Sequence, residues 1–209
     1  MKLGWLGIGF VMALTSCAAP PPKLTPHEMA QRWAVKLDFA DGSCSGTMIG
    51  PHQILSATHC FIESKAKSIK IDGVDADIVS EMDDGSDHSI ITVNQNFASW
   101  AKVAPLPEIG EPIFSFGCPG EMKQQFRVGY VAARDKADMA EAGITKKLNV
   151  TTFSLPIYFG DSGSGLFDAQ GDLVAVVSAL DWQGNGIVQY DEAAAFDLTF
   201  TPAQWQQVR

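Results

Sequence analysis

The sequence predicts an all-β fold, and three features of it lead to that prediction. Apolar and polar residues alternate with a period of two in several runs, including 33–39 and 126–130, which is typical of half-buried strands. Gly, Pro and Asp separate these runs at short intervals, as turns do. The prolines in the segment 105–107 interrupt ladder pairing and divide the chain into two similar halves. Many short strands at turn spacing favour a barrel or a sandwich.

The strand-like runs follow one another along both halves of the chain. In the first half they are 33–39, 46–49, 54–57, 69–71, 74–78 and 90–93. In the second half they are 113–116, 126–130, 148–152, 166–167, 173–177 and 187–190. The C-terminal residues do not have this strand pattern. There, Thr201-Pro202-Ala203-Gln204 has the pattern of a capping box with proline at the first helical position. We therefore expect a short helix to end the chain.

Composition and charge narrow the functional class. The chain has 209 residues, of which 46% are hydrophobic and 19% charged, as in a globular protein rather than a disordered one. Its formal net charge is -9. A protein with that charge is poorly suited to bind the phosphate backbone, so we expect no nucleic-acid partner.

The N-terminus has the features of an export signal. Lys2 precedes the almost wholly apolar stretch 3–14, which is too short to span a bilayer. The run Leu14-Thr15-Ser16-Cys17 that follows resembles a bacterial lipobox. The resemblance implies cleavage before Cys17 and lipidation of its thiol. An ordinary secretory signal cut nearby, for example at Ala18 or Ala19, is the alternative.

A lipid on Cys17 would anchor the protein at the bacterial cell envelope. Ala18 stands where an Asp would resemble an inner-membrane retention signal, which favours the outer membrane, facing the periplasm. Residues 1–17 are then the signal and lipobox. The proline-rich residues 18–31 are expected to form an extended tether, and residues 32–209 to form the folded domain.

One motif inside the expected tether resembles a zinc site but is incomplete. His27-Glu28-Met29-Ala30-Gln31 begins like a zinc-protease helix, yet Gln31 occupies the position of the second histidine. No cysteine pair has finger-like spacing either. The sequence therefore predicts no metal and no cofactor.

A glycine-rich loop is the strongest chemical signal in the chain. Gly160-Asp161-Ser162-Gly163-Ser164-Gly165 has too many glycines for a helix or strand interior, and positive φ angles are expected there. A serine between exposed backbone N–H groups suits acyl transfer, which needs a nucleophile and donors for an oxyanion. Taken alone, the loop could equally be an ordinary Gly/Ser turn.

A histidine upstream of the loop supplies the base that such a serine needs. It ends the run Ser56-Ala57-Thr58-His59-Cys60, and histidine has the right pKa for this role. Together the two runs resemble the trypsin/chymotrypsin-like serine peptidases, in which a histidine motif precedes a Gly-Asp-Ser-Gly motif. The resemblance extends from about Arg32 to the C-terminus. It implies two six-stranded antiparallel β-barrels, about 32–104 and 108–200, with the active site between them.

The same resemblance assigns roles to individual residues. Ser162 would be the nucleophile, and His59 the general base that later protonates the leaving amine. Asp87 precedes a short apolar strand and would orient the imidazole. Asp83 and Asp84 compete for that role, but we expect them in a solvated loop. His88 departs from the usual apolar residue of the family, and a surface position is expected for it.

The backbone N–H groups of Gly160 and Ser162 would form the oxyanion hole, by resemblance. In zymogen-type members the aspartate at position 161 pairs with a new N-terminal amine. No suitable start occurs near Arg32, so we expect no activation of that kind. Asp161 must then be satisfied by local donors or lie in solvent.

The resemblance also indicates where substrate side chains would bind. The family's pocket base lies six residues before the serine, which is Pro156 here, and Ser178-Ala179-Leu180 matches the pocket wall. Leu180 stands where glycine is usual and would narrow the pocket. The sequence therefore favours small or medium uncharged P1 residues over Arg or Lys.

Three cysteines remain after Cys17. Cys44 and Cys60 stand at the family's disulfide spacing, and an exported location permits the bond. Cys118 is left over, and we expect a buried free thiol.

The leading hypothesis is a lipid-anchored serine endopeptidase that hydrolyses protein or peptide substrates at the bacterial envelope. The alternative is a catalytically silent member of the same fold that serves as an envelope-anchored binding module. An esterase of another fold is disfavoured, because the residues after Gly165 read as a strand rather than a helix.

Overall fold

Two β-structured units follow one another along the chain. The computed structural model describes residues 24–64, 66–122, 124–141, 144–184 and 189–208, and within them the chain forms thirteen β-strands. The expected signal peptide and the lipidation site Cys17 lie outside the described residues. The first six strands close into one barrel, and the other seven form a single sheet.

The first unit is an antiparallel barrel with the strand order β1-β2-β3-β6-β5-β4. Its strands are β1 (Ala34–Asp38), β2 (Ser43–Met48), β3 (Gln53–Ala57), β4 (Ser68–Ile71), β5 (Val74–Asp83) and β6 (His88–Val93). The six-stranded barrel that the sequence led us to expect is therefore present in this half.

The central strands of the barrel bury both of their faces. Leu55 lies opposite Ile90, and Ile54 opposite Ile91, in the antiparallel pairing of β3 with β6. Ile54 and Ile91 pack inside the barrel, whereas Leu55 and Ile90 pack on Phe167 and other side chains of the second unit. This double burial explains why the run Ile54-Leu55 is continuously apolar, although a half-buried strand would alternate.

The second unit is a seven-stranded antiparallel sheet with the order β11-β10-β7-β8-β9-β13-β12. Its strands are β7 (Pro112–Gly117), β8 (Gln125–Glu141), β9 (Ile144–Pro156), β10 (Gly165–Phe167), β11 (Leu173–Val176), β12 (Ala179–Gly184) and β13 (Gln189–Phe196). The all-β, chymotrypsin-like architecture is confirmed. The second unit nevertheless differs from the expected six-stranded barrel, because it is a sheet of seven strands in which β12 adds to the outer edge of β13.

The folded part of the chain begins earlier than the sequence suggested. Helix α1 (Pro26–Trp33) has a capping box at Thr25, so residues 26–31 belong to the domain and not to an extended tether. Its Met29 and Ala30 are buried, and the ring of His27 packs on Phe126 with a centroid distance of 4.9 Å. The zinc-like motif is thus part of a packed helix.

Two further helices complete the fold. Helix α2 (His59–Ser64) follows β3, and helix α3 (Pro202–Trp205) has the expected capping box at Thr201. The predicted C-terminal helix is therefore confirmed. None of the helices in the described segments has the length and apolar character needed to span a membrane.

A disulfide fastens α2 to β2. It joins Cys44 to Cys60 as the resemblance implied, across a sequence separation of 16. In the chain-entropy account a loop of that length stabilises the fold by about 3 kcal/mol. The bond also holds the start of α2, where His59 lies, against the barrel.

Candidate active site

His59 and Asp87 are joined by hydrogen bonds at one end of the barrel. The ring Nδ1 of His59 lies 2.9 Å from Oδ2 of Asp87, and the His59 backbone N–H donates to Oδ1 at 2.9 Å. The carboxylate can only accept, so the ring proton resides on Nδ1 and Nε2 carries the lone pair. The His59 side chain is 38% exposed and that of Asp87 15%. An imidazole that solvent and substrate can reach is thus backed by a sheltered carboxylate.

The backbone of Asp87 has an unusual conformation, which the turn before β6 requires. Its φ is 66°, a region that few residues other than glycine adopt. The Asp87 carbonyl accepts a hydrogen bond from the N–H of Thr58 at 3.0 Å. This contact joins the turn directly to the end of β3, and it brings the Asp87 carboxylate to His59.

The two competing aspartates do not reach His59. Asp83 accepts from the N–H of Gly85 at 2.6 Å and so caps the turn. Asp84 pairs with His88, with 3.0 Å between Oδ2 and Nδ1, and neither side chain is exposed. The expectation of a solvated Asp84 and a surface His88 was wrong, because each is the other's partner inside the protein.

Ser162 lies in the loop between β9 and β10, pressed against the barrel. The N–H of Ser45 on β2 donates to the carbonyl of Ser162 at 2.8 Å, and the hydroxyl of Ser45 donates to the carbonyl of Gly160 at 2.9 Å. A Cβ at Gly163, whose φ is 82°, would collide with the carbonyl of Ser45. Glycine is therefore required there by both conformation and space.

A cavity of about 440 Å³ connects the barrel residues with the serine loop. His59, Gly160, Ser162, Ser178 and Ala179 all line it, so the structure brings together most of the residues that the sequence singled out. The other described lining residues are Phe39, Asp41, Gly42, Ser43, Cys44, Cys60, Ile157, Tyr158, Phe159 and Val177.

One of the expected substrate-binding residues, Pro156, stands apart from this group. Pro156 is exposed at the end of β9, opposite Glu192, and the next residue, Ile157, lines the cavity in its place. The backbone of Leu180 pairs with Ala193 in the sheet. The side chain of Leu180 lies outside the described part of the structure.

An aromatic edge of the cavity was not predicted from the sequence. Tyr158 and Phe159 precede Gly160 and are 56% and 71% exposed. Their rings contact each other edge to face, with centroids 5.6 Å apart. Large exposed aromatic side chains beside a cavity are typical of a binding surface. The sequence of the run Leu155–Phe159 alone does not separate its buried from its exposed members.

The carboxylate of Asp161 is fully buried directly beside the serine. It accepts from Nη1 of Arg127 on β8 at 2.9 Å and from the N–H of Tyr158 at 2.8 Å. Burial raises the pKa of Asp161, and the hydrogen bonds from Arg127 and Tyr158 act in the opposite direction. Of the two alternatives that the sequence left for Asp161, local donors and solvent, the structure shows the first. The sequence indicated no particular cation for it, since Arg127 is 34 residues away.

Cys118 is a buried thiol, as expected. It is not exposed at all and forms no disulfide. Burial raises the pKa of Cys118 to about 11, so the thiol is protonated at neutral pH and unreactive. Its backbone N–H donates to the hydroxyl of Ser45 at 3.0 Å, which places it behind the serine loop as a packing residue.

The chain matches known proteins in sequence pattern and in fold. Residues 44–176 match the family described as trypsin-like peptidase domain. No curated protein sequence matches the chain. The similar solved structures include the Rv3671c protease from M. tuberculosis in its active form, with 18% identity and a TM-score of 0.71 over 98% of this chain and 94% of that one.

Two other solved structures support the same fold. The inactive form of the Rv3671c protease has 18% identity and a TM-score of 0.67, covering 91% of this chain and 98% of that one. The HtrA-type protease AlgW, solved with a decapeptide, has 15% identity and a TM-score of 0.63 over 83% of this chain and 64% of its own. At these identities the likeness concerns the fold.

The ion pair of Arg127 with Asp161 should be essential for stability. In Arg127→Ala a buried carboxylate loses its cation, so we expect the free energy of unfolding to fall by about 3–5 kcal/mol. Urea unfolding followed by tryptophan fluorescence measures this loss.

Arg134→Ala is the matched control on the same strand. Its guanidinium lies 3.6 Å from Glu108, and both side chains are well exposed, so little change is expected. Equal stability of the two variants would show that Asp161 does not depend on Arg127.

Proposed function

Because the chain belongs to the trypsin-like peptidase family, we propose that it is a serine endopeptidase that cleaves protein or peptide substrates. One observation carries the proposal. The hydrogen-bonded pair of His59 and Asp87 comes from the barrel, and Ser162 from the second sheet, and His59 and Ser162 line the same cavity. A silent binding module, the alternative, would not require an accessible imidazole backed by a sheltered carboxylate.

The proposed reaction proceeds through an acyl-enzyme. Oγ of Ser162 attacks the scissile carbonyl carbon while Nε2 of His59 takes the hydroxyl proton. His59 then gives that proton to the leaving amine, and the C–N bond breaks. A water molecule, deprotonated by the same nitrogen, attacks the ester carbon; the ester C–O bond breaks, and His59 returns the proton to Oγ of Ser162. Asp87 holds the Nδ1 proton throughout and stabilises the imidazolium.

The backbone N–H groups of Gly160 and Ser162 are proposed as the oxyanion hole. Gly160 has a φ of 97°, and a Cβ there would collide with the carbonyl of Cys118. The carbonyl of Phe159, which shares a peptide group with the Gly160 N–H, accepts from the N–H of Gly120 at 2.6 Å, and this bond fixes the plane of that peptide. Preorganised donors of this kind act without reorganisation during the reaction.

The proposed P1 pocket is expected to accept small or medium uncharged side chains. Ser178, Ala179 and Ile157 supply neutral walls. Asp41 is the acidic residue among the described lining residues, and it is exposed in the turn between β1 and β2. An exposed carboxylate in a turn is screened by water and offers little selectivity for a buried cation.

The location of the protein is part of the proposal. We place it at the bacterial cell envelope, anchored through a lipid on Cys17 and facing the periplasm from the outer membrane. The lipobox-like run before Cys17 supports this placement. The local pairing of Asp161 with Arg127 supports activity without a newly cut N-terminus.

Replacing the three proposed catalytic residues should abolish hydrolysis. We expect Ser162→Ala and His59→Ala each to lower kcat about 10⁶-fold, and Asp87→Asn about 10⁴-fold. Digestion of unfolded casein by the purified full chain, followed by mass spectrometry of the products, measures this. Asp83→Asn is the matched control. A wild-type protein that binds casein without cutting it would favour the binding-module alternative.

The cleavage products should also show the P1 preference. The neutral cavity walls predict that Ala, Val, Ser or Thr precede most cut sites in a proteome-derived peptide library. Leu180→Gly should widen the preference toward larger residues if that side chain narrows the pocket. A profile dominated by Arg or Lys would contradict the proposed pocket.

The proposed anchor is tested separately from the activity. In bacteria fed a labelled fatty acid, the wild-type chain should incorporate the label, and Cys17→Ala should not, because the acceptor thiol is gone. Wild-type protein without label, cut after Ala18 or Ala19, would show an ordinary secretory signal instead.

A further inference from the structure

A second histidine–aspartate pair lies buried next to the proposed catalytic one. Asp84, His88 and Ser178 form a hydrogen-bonded chain in which Oδ2 of Asp84 is 3.0 Å from Nδ1 of His88, and Nε2 of His88 is 3.2 Å from Oγ of Ser178. His88 and the Asp84 side chain are completely buried, and Ser178 is 7% exposed. The proposed reaction leaves the histidine and Asp84 unused.

The protons in this chain can be placed from the donors around Asp84. Its carboxylate accepts from the N–H groups of Ser86 and Thr199 at 2.7 and 2.8 Å, from the backbone N–H of His88 at 3.3 Å, and from the ring. Burial alone would raise the pKa of Asp84, but the bonds from His88, Thr199 and Ser86 outweigh it and lower the pKa. The ionised carboxylate requires the ring proton on Nδ1. Nε2 of His88 and the carbonyl of Val176 both lie within hydrogen-bond distance of the Ser178 hydroxyl, at 3.2 and 3.3 Å.

The hydrogen bonds that run from Asp84 through His88 to Ser178 link the two units of the fold, each of which contributes residues to the proposed active site. His88 follows Asp87 directly and begins β6 of the barrel. Ser178 follows Val177, whose backbone forms two hydrogen bonds with the loop that contains Ser162. The carbonyl of Val177 accepts from the N–H of Gly163 at 2.8 Å, and the N–H of Val177 donates to the carbonyl of Ser164 at 2.9 Å. The hydrogen bond of His88 with Ser178 thus connects the turn that carries Asp87 with the loop that carries Ser162.

We propose that His88 is a positioning residue that sets Asp87 and Ser162 relative to each other through its hydrogen bond with Ser178. This inference rests on the proposed function. Displacing reacting groups by about 1 Å can cost 100-fold in rate, and the Asp87 turn and the Ser162 loop belong to different sheets.

Burial of this pair is not explained by core packing alone. An apolar side chain at position 88 would fill the space between β6 and the second sheet without a buried charge. A buried carboxylate and imidazole are costly to desolvate. Their hydrogen bonds, unlike apolar contacts, specify a distance and a direction.

Replacing His88 with Asn or Gln tests the contributions of its two ring nitrogens separately. The side-chain amide of His88→Asn can reach Asp84 as Nδ1 does but is too short for Ser178, whereas His88→Gln reaches the position of Nε2. Ser178→Ala removes the other end of the same bond. His52→Asn is the matched control, because His52 also bonds through Nδ1, to the carbonyl of Gln95 at 2.8 Å, and lies away from the cavity.

Two measurements on the purified full chain test the inference, both at temperatures where every variant is folded by circular dichroism. The first is the rate at which a fluorophosphonate labels Ser162. The second is the hydrogen exchange of the amides of Gly163 and Val177, which reports the order of the serine loop whether or not the protein is active.

The proposal predicts a specific pattern. His88→Asn and Ser178→Ala should each slow labelling about tenfold, the net effect of one hydrogen bond, and the double variant should be no slower because both changes remove the same bond. Exchange at Gly163 and Val177 should accelerate in the same variants. His88→Gln should recover most of the labelling rate, and His52→Asn should behave as wild type.

Labelling of His88→Asn at the wild-type rate would overturn the inference. A double variant that is slowed by the product of the two single effects would overturn it as well. A wild-type protein that is not labelled would instead overturn the proposed function. In that case hydrogen exchange still decides on His88: acceleration in His88→Asn and Ser178→Ala supports its positioning role, and unchanged exchange rejects it.

Discussion

The contact of Ser45 with the serine loop is the constraint on which the rest of the site depends. His59 and Asp87 belong to the barrel and Ser162 to the second sheet, so the proposed active site exists only where these units touch. Ser45 bonds through its N–H to Ser162 and through its hydroxyl to Gly160. The approach is so close that position 163 must be glycine. The glycine content of the loop is therefore explained by packing as well as by backbone conformation.

Buried carboxylates support both sides of this contact. Asp161 stands beside the nucleophile and is paired with Arg127, and Asp84 stands three residues before Asp87 and is paired with His88. Buried ion pairs contribute little net stability compared with apolar packing, but breaking one is costly. Their value here is geometric, because each fixes a loop whose neighbouring residue is proposed to act in catalysis.

The sequence predicted the residues of the motifs well and the burial and pairing of the charged side chains around them poorly. Local motifs singled out His59 and Ser162, which line one cavity, and they predicted the C-terminal capping box. The family resemblance implied the disulfide, which the structure contains. Asp87 was correctly preferred over its neighbours as the partner of His59, but Asp84 and His88 were expected in solvent because no local pattern shows that their side chains meet inside the protein. Arg127 was missed for the same reason. The capping box at Thr25 could have indicated that the domain begins before residue 32, but proline-rich residues nearby favoured a tether.

The most direct measurement of the central claim is the mass of the purified full chain after treatment with a fluorophosphonate, with peptide mapping of the adduct. We predict a single adduct on Ser162, because this serine lines the cavity together with His59 and lies in the loop that carries the proposed oxyanion hole, and we predict none in His59→Ala. A well-folded wild-type protein without an adduct, or an adduct on another serine such as Ser178, would contradict the account.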